Sequence, residues 1–172
     1  ACLEKQDFIS GDFSTAFMAE NFTDEGLAAP VADATSLAIM AVRHFVCDHA
    51  KARANAMHVP QELVNFSAEE ALRTPYKLAT GEAETMVSVR TKNHTHYAVH
   101  IGEEIIELMV QAHDGTHMVL NSADKQFVSQ AFLHGETLYA TIDGKSFTCS
   151  NMLMRNATAD EAGDNSRVTA PM

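Results

Sequence analysis

The chain has 172 residues, 46% of them hydrophobic and 20% charged, with a formal net charge of −11 at pH 7. That length suits one domain with its own core. The acidic balance argues against nucleic acid and against an anionic membrane as partners, because phosphate needs a basic surface, and no apolar run reaches the roughly 18 residues of a spanning helix.

The three cysteines, Cys2, Cys47 and Cys149, are odd in number and far apart. They form no CxxC and no ligand spacing, so neither a disulfide framework nor a zinc site is expected. Reduced thiols fit a bacterial cytoplasm or a mitochondrial matrix. In such a compartment the sequons at Asn21 and Asn156 carry no meaning.

Residues 1 to about 32 open with "ACLEKQDFISGDFSTAFM", without Met and without a signal-peptide pattern. Phe8, Phe13, Phe17 and Phe22 recur every four or five residues. A short helix is expected around Thr15 to Glu20.

Residues 33–57 carry the clearest helical signal. Asp33 or Thr35 can cap it by accepting from the orphan amides of the first turn. "SLAIMAVRHFVCDHAKARANAM" then runs without Gly or Pro, Lys51 and Arg53 suit the C-terminal dipole, and Pro60 stops continuation. Leu37 to Val42 with Phe45, Val46 and Cys47 cover most of the circumference rather than one stripe. A helix apolar nearly all round is buried nearly all round, so something must enclose it.

Residues 58–82 form a connector bracketed by Pro60 and Pro75, with capping-box spacing at Ser67 and Glu70. It holds Leu63, Val64, Phe66, Leu72, Tyr76 and Leu78, too many large apolar groups for a disordered loop.

From 83 to about 153 the period changes to two. "MVSVRT", "HYAVHI", "IIELMVQ", "HMVLNS", "QFVSQAFL", "TLYATID" and "SFTCSNML" are predicted strands, and "YKLAT" can supply an eighth. Gly102, Asp114-Gly115, Ala123-Asp124, Gly135 and Asp143-Gly144 are hairpin signals between them. Short loops predict an antiparallel meander, which removes its open edges by curling into a barrel. The fold expected is α+β: a long central helix enclosed by an antiparallel up-and-down barrel of about eight strands. Residues 154–172, "MRNATADEAGDNSRVTAPM", are expected to be an acidic linker, and both ends of the chain are expected to be cuts within a longer protein.

Little catalytic chemistry is visible. There is no Gly-rich phosphate loop, GxSxG or HExxH. His94, His96 and His100 share one strand face, with His113, His117 and His134 nearby in sequence. Without a carboxylate at ligand spacing, they read as scattered surface histidines. His44 and His49 read as satisfied core or interface groups. "NMLM" at 151–154 has no lysine and so cannot carry biotin.

Three segments together resemble one family. "DFISGDFSTAFMAENF" resembles the end of a biotin carboxylase domain, and "SRVTAPM" resembles the opening of a biotin carboxyl carrier domain. "LYATIDGKSFTCS" resembles the strands between those two domains in acyl-CoA carboxylase α subunits, in the order of the methylcrotonyl-CoA and propionyl-CoA carboxylase α chains. The resemblance spans the whole chain and is most specific at its ends. It implies the interaction ("BT") domain at residues 33–153, a helix inside a barrel of about eight strands, preceded by the tail of the biotin carboxylase domain at 1–32. It implies that the connector 58–82 is a hook docking on the carboxyltransferase β subunit, with Leu63, Phe66, Leu72 and Tyr76 as partner-binding residues. Many relatives carry a Trp near the first strand; this chain has none, and Tyr76 stands in its place. No cofactor is expected on this piece; biotin and ATP with Mg belong to other domains of the parent α subunit. The rivals are a small-ligand-binding barrel and an independent enzyme using the histidine strand.

Overall fold

The computed structural model describes residues 6–11, 17, 30–58, 60, 63 and 72–153, without the side chains of 7 and 8. The chain divides into two compact units, Ala1–Pro30 and Val31–Met172. In the first, helix α1 (Gln6–Ser10) is followed by Gly11, and Phe17 is helical and buried. Only that one residue of the expected Thr15 to Glu20 helix falls within the described residues. Phe13, Phe22, the side chain of Phe8 and the predicted linker 154–172 lie outside them.

In the second unit, helix α2 (Ala34–Asn55) falls within the predicted 33–57. Asp33 is the N-cap: its backbone is extended and its carboxylate accepts from the Ser36 amide at 2.7 Å. Hydrogen bonds from the Ser36 side chain and amide hold the Asp33 carboxyl below the usual range. Arg53 lies in the last turn, where the helix dipole favours a cation. Every residue from Leu37 through Phe45 is buried, which no one-sided helix achieves.

The enclosure is a closed barrel of eight strands in sequence order, all neighbours antiparallel. The strands are β1 (Thr74–Thr80), β2 (Ala83–Thr91), β3 (His96–Ile101), β4 (Glu104–His113), β5 (His117–Ser122), β6 (Lys125–His134), β7 (Thr137–Ile142) and β8 (Lys145–Asn151). Alternation sets the two faces: Val87 and Val89 are buried within β2, while Met86 just before them is exposed and Ser88 between them half-buried. Leu78, Val99, Leu108, Leu120, Ala131, Leu138 and Cys149 bring the other strands into one core with Ile39, Met40 and Val42 of the helix. An eight-stranded barrel is just wide enough to be filled by side chains; here the helix is part of the filling. A bulge between Val110 and Ala112 shifts the β4–β5 register. At the β7–β8 turn Asp143 and Gly144 both have positive φ, +48° and +80°, the geometry that a two-residue hairpin requires.

One boundary moves. The barrel begins at Thr74, inside the predicted connector 58–82, and the segment "YKLAT" makes up the last five residues of β1. Pro75, read as a breaker, sits within the strand opposite Ser88. β8 meets β1 only at Leu78 and Ala79, so Pro75 lies beyond that ladder and its missing N–H breaks no pairing there. None of the described helices is long and apolar enough to cross a membrane.

Candidate functional site

The helix outlasts its enclosure. Its 22 residues rise about 33 Å, yet full burial ends at Phe45; Val46 to His49 are half-buried and Ala50 to Asn55 exposed. The C-terminal part of α2 therefore emerges at one mouth of the barrel. Several of the chain's polar and titratable groups meet there.

Arg43 is among the deepest of them, 1% exposed. Its Nη2 donates to the carbonyls of Gly115 at 3.1 Å, Thr116 at 2.7 Å and Ala131 at 3.1 Å. Its Nε and Nη1 have no partner among the described residues. Burial lowers its pKa, while Cys47 and Asp114 act the other way. Arg43 is not among the site residues expected from the sequence. The signal was available: "IMAVRHFV" places a cation in the middle of an otherwise apolar helix.

Tyr76, predicted as a docking residue, is placed differently. It points inward from β1, is 2% exposed, and donates its hydroxyl to Asp48 Oδ2 at 3.1 Å. The His44 ring lies 5.9 Å from its ring. Tyr76 is thus a core residue fastening the helix to β1, and it offers no free surface to a partner. Burial, aided by the neighbouring Asp48 charge, pushes its phenol well above the ordinary range. Burial also holds His44 below the usual imidazole range and raises the thiols, Cys149 to about 12. These thiols are poor nucleophiles, because the thiolate is the reactive form.

Of the other predicted hook residues, Leu63 and Leu72 are 54% and 61% exposed. The Leu63 amide donates to the Pro60 carbonyl at 2.9 Å, closing a tight turn. Phe66, with Ser67 and Glu70, lies outside the described residues. Two exposed leucines thus flank the segment that joins the emerging helix to β1.

The histidines do not converge. His96 and His100 are half-exposed on β3, and His94 lies in the turn before it. His96 Nδ1 is 2.9 Å from Asn93 Oδ1, part of a turn in which Asn93 also accepts from the Thr95 and His96 amides. His117 contacts Gln130 on β6. No group of three or more His, Cys, Asp or Glu among the described residues is placed to hold a metal ion. A groove of about 330 Å³ runs beside the β4–β5 turn, lined by His113, Asp114, His117 and the apolar Ala112, Met118, Val119 and Val128. Neither a family model nor a curated protein sequence matches this chain.

Proposed function

We propose that this domain is a non-catalytic interaction module of a biotin-dependent acyl-CoA carboxylase, docking the biotin-bearing α subunit on the carboxyltransferase β subunit. The observation that carries the reading is the helix inside the closed barrel, its residues Leu37 to Phe45 wholly buried. The same architecture was expected from the resemblance to the BT domain, whose segments lie at both ends of the chain and in the β7–β8 hairpin. A barrel whose interior is filled by its own helix leaves little room for a small ligand, which weighs against the ligand-carrier reading.

In this account the α subunit supplies a biotin carboxylase domain before residue 33 and a biotin carrier domain after residue 172. Biotin and ATP with Mg act on those domains. Leu63 and Leu72, with Phe66 between them, are the proposed docking residues, since large apolar groups dominate interface hot spots. Methylcrotonyl-CoA carboxylase of leucine catabolism is the assignment the segments favour; propionyl-CoA and geranyl-CoA carboxylases share the same layout.

The test is co-migration of the chain with a methylcrotonyl-CoA carboxyltransferase β subunit on size exclusion, beside the propionyl-CoA and geranyl-CoA counterparts. A stable complex with one of them is expected. Absence of any complex, together with saturable uptake of a fluorescent fatty acid, would move the assignment to a ligand-binding barrel.

A further inference from the structure

The outer wall of β1–β3 carries a cluster of cations that the other described residues leave unbalanced. Thr74, the first residue of β1, pairs with Val89, which brings Arg73, just before the strand, alongside Arg90 of β2. Both fall on the outward side, since Tyr76, Val87 and Val89 alternate inward. Like charges directly opposite each other on a sheet repel. On β3, His100 pairs with Ser88, two residues before Arg90, and so shares this face. It feels both guanidinium groups, which add to the burial that lowers its pKa.

No carboxylate answers these charges among the described residues. The ion pairs there are Lys77–Glu84, Lys92–Glu107 and Lys125–Asp143. Glu107, the carboxylate that acts on His100, is held by Lys92 at 2.6 Å. The Nε of Arg90 is buried with no hydrogen-bond partner among the described residues. A repulsive, partly desolvated arginine pair on a chain of net charge −11 is locally of the wrong sign for its surroundings.

We infer that the face formed by Arg73 and Arg90 docks an acidic protein surface, its carboxylates taking the guanidinium donors. Guanidinium forks match carboxylates bidentately. Nucleic acid shares the anionic chemistry but is disfavoured, because the remaining surface repels a long polyanion. The inference deepens the interaction reading and rests on it. Its test uses no carboxyltransferase subunit, so the two fail separately.

A fluorescein-labelled hexaglutamate peptide is titrated into the full 172-residue chain and followed by anisotropy, with a single-stranded DNA oligomer as a parallel probe. We expect the peptide to bind at low salt and to weaken as salt rises toward about 0.2 M, where the Debye length falls below about 8 Å. The Arg73→Gln/Arg90→Gln double variant should lose about tenfold or more in affinity, while Lys145→Gln should bind as wild type. Peptide-induced shifts of the Arg73 and Arg90 side-chain Nε–H resonances in the wild-type chain give a readout that needs no variant to fold. No peptide binding, unchanged binding by the double variant, unshifted arginine resonances, or tighter binding of DNA than of peptide would each overturn the inference.

Discussion

Arg43 of α2 donates to the carbonyl of Thr116 in the β4–β5 turn at 2.7 Å, from a side chain 1% exposed. The same nitrogen reaches Gly115 and Ala131, so one guanidinium ties the helix to two neighbouring edges of the barrel mouth. Hydrogen bonds from a charged donor contribute about 1.5–3 kcal/mol, and removing a large buried side chain adds a cavity. Arg43→Ala should therefore cost about 3 kcal/mol or more. It should also speed amide exchange at Thr116 and Ala131 more than on β2. A thermal midpoint unchanged by the substitution would mean that the guanidinium stabilises nothing.

Tyr76 and Asp48 make a second fastening, on the β1 side. Tyr76→Phe removes one hydrogen bond to a carboxylate and leaves Asp48 without its phenol donor; the expected cost is about 1–3 kcal/mol. Tyr76→Ala removes the ring as well, and about 3–5 kcal/mol is expected. Chemical unfolding of the two variants separates these effects. If Tyr76→Ala folds with wild-type stability, its burial in β1 has been misassigned.

Phe45 closes the buried run of the helix, its ring 5.9 Å from Tyr97 at 72° and 3.8 Å from His49. The strands around it limit collapse, so Phe45→Ala should cost about 3–5 kcal/mol. With about 2–4 °C per kcal/mol for a domain of this size, the midpoint should fall by at least about 6 °C. A loss of one or two degrees would fit an amphipathic surface helix instead.

Much of this fold was legible in the residues. The all-round apolar pattern of Leu37 to Val42 demanded an enclosure, and the period-two segments from 83 onward, ended by Asp-Gly and Gly turns, supplied one. β1 was legible only as the fragment "YKLAT", because Pro75 reads as a breaker until the short β1–β8 ladder shows that no bond is missing there. Tyr76 misled for the same reason: a residue assigned to a connector looks available, whereas on β1 the pleat turns it inward. The Arg43 anchor and the Arg73–Arg90 juxtaposition depend on register and on the reach of the helix into the barrel. Hydrophobic periodicity carries neither.

The buried titratable groups set a stability window. Burial pushes Cys149 up to about 12 from an ordinary value near 9, and Tyr76 is raised as well. The folded chain keeps protons that the unfolded chain releases, so stability should fall as pH rises above about 9. His44 has the opposite sign. Its folded pKa lies below 6.5, the unfolded chain takes up the proton first, and stability should fall as pH drops below 6.5. Urea midpoints should be highest between these limits, and Cys149→Val should lessen the alkaline loss. A midpoint flat from about pH 8 to about pH 11 would contradict the burial of these protons.

The most direct measurement of the docking account is the equilibrium affinity of this chain for a methylcrotonyl-CoA carboxyltransferase β subunit, with and without Leu63→Ala/Leu72→Ala. Both leucines are exposed, so the double variant should keep the wild-type thermal midpoint. The account predicts saturable binding by the wild type and a loss of about tenfold or more in the variant, equivalent to about 1.4 kcal/mol. Wild-type affinity in a normally folded double variant, or no binding by either chain, would contradict it.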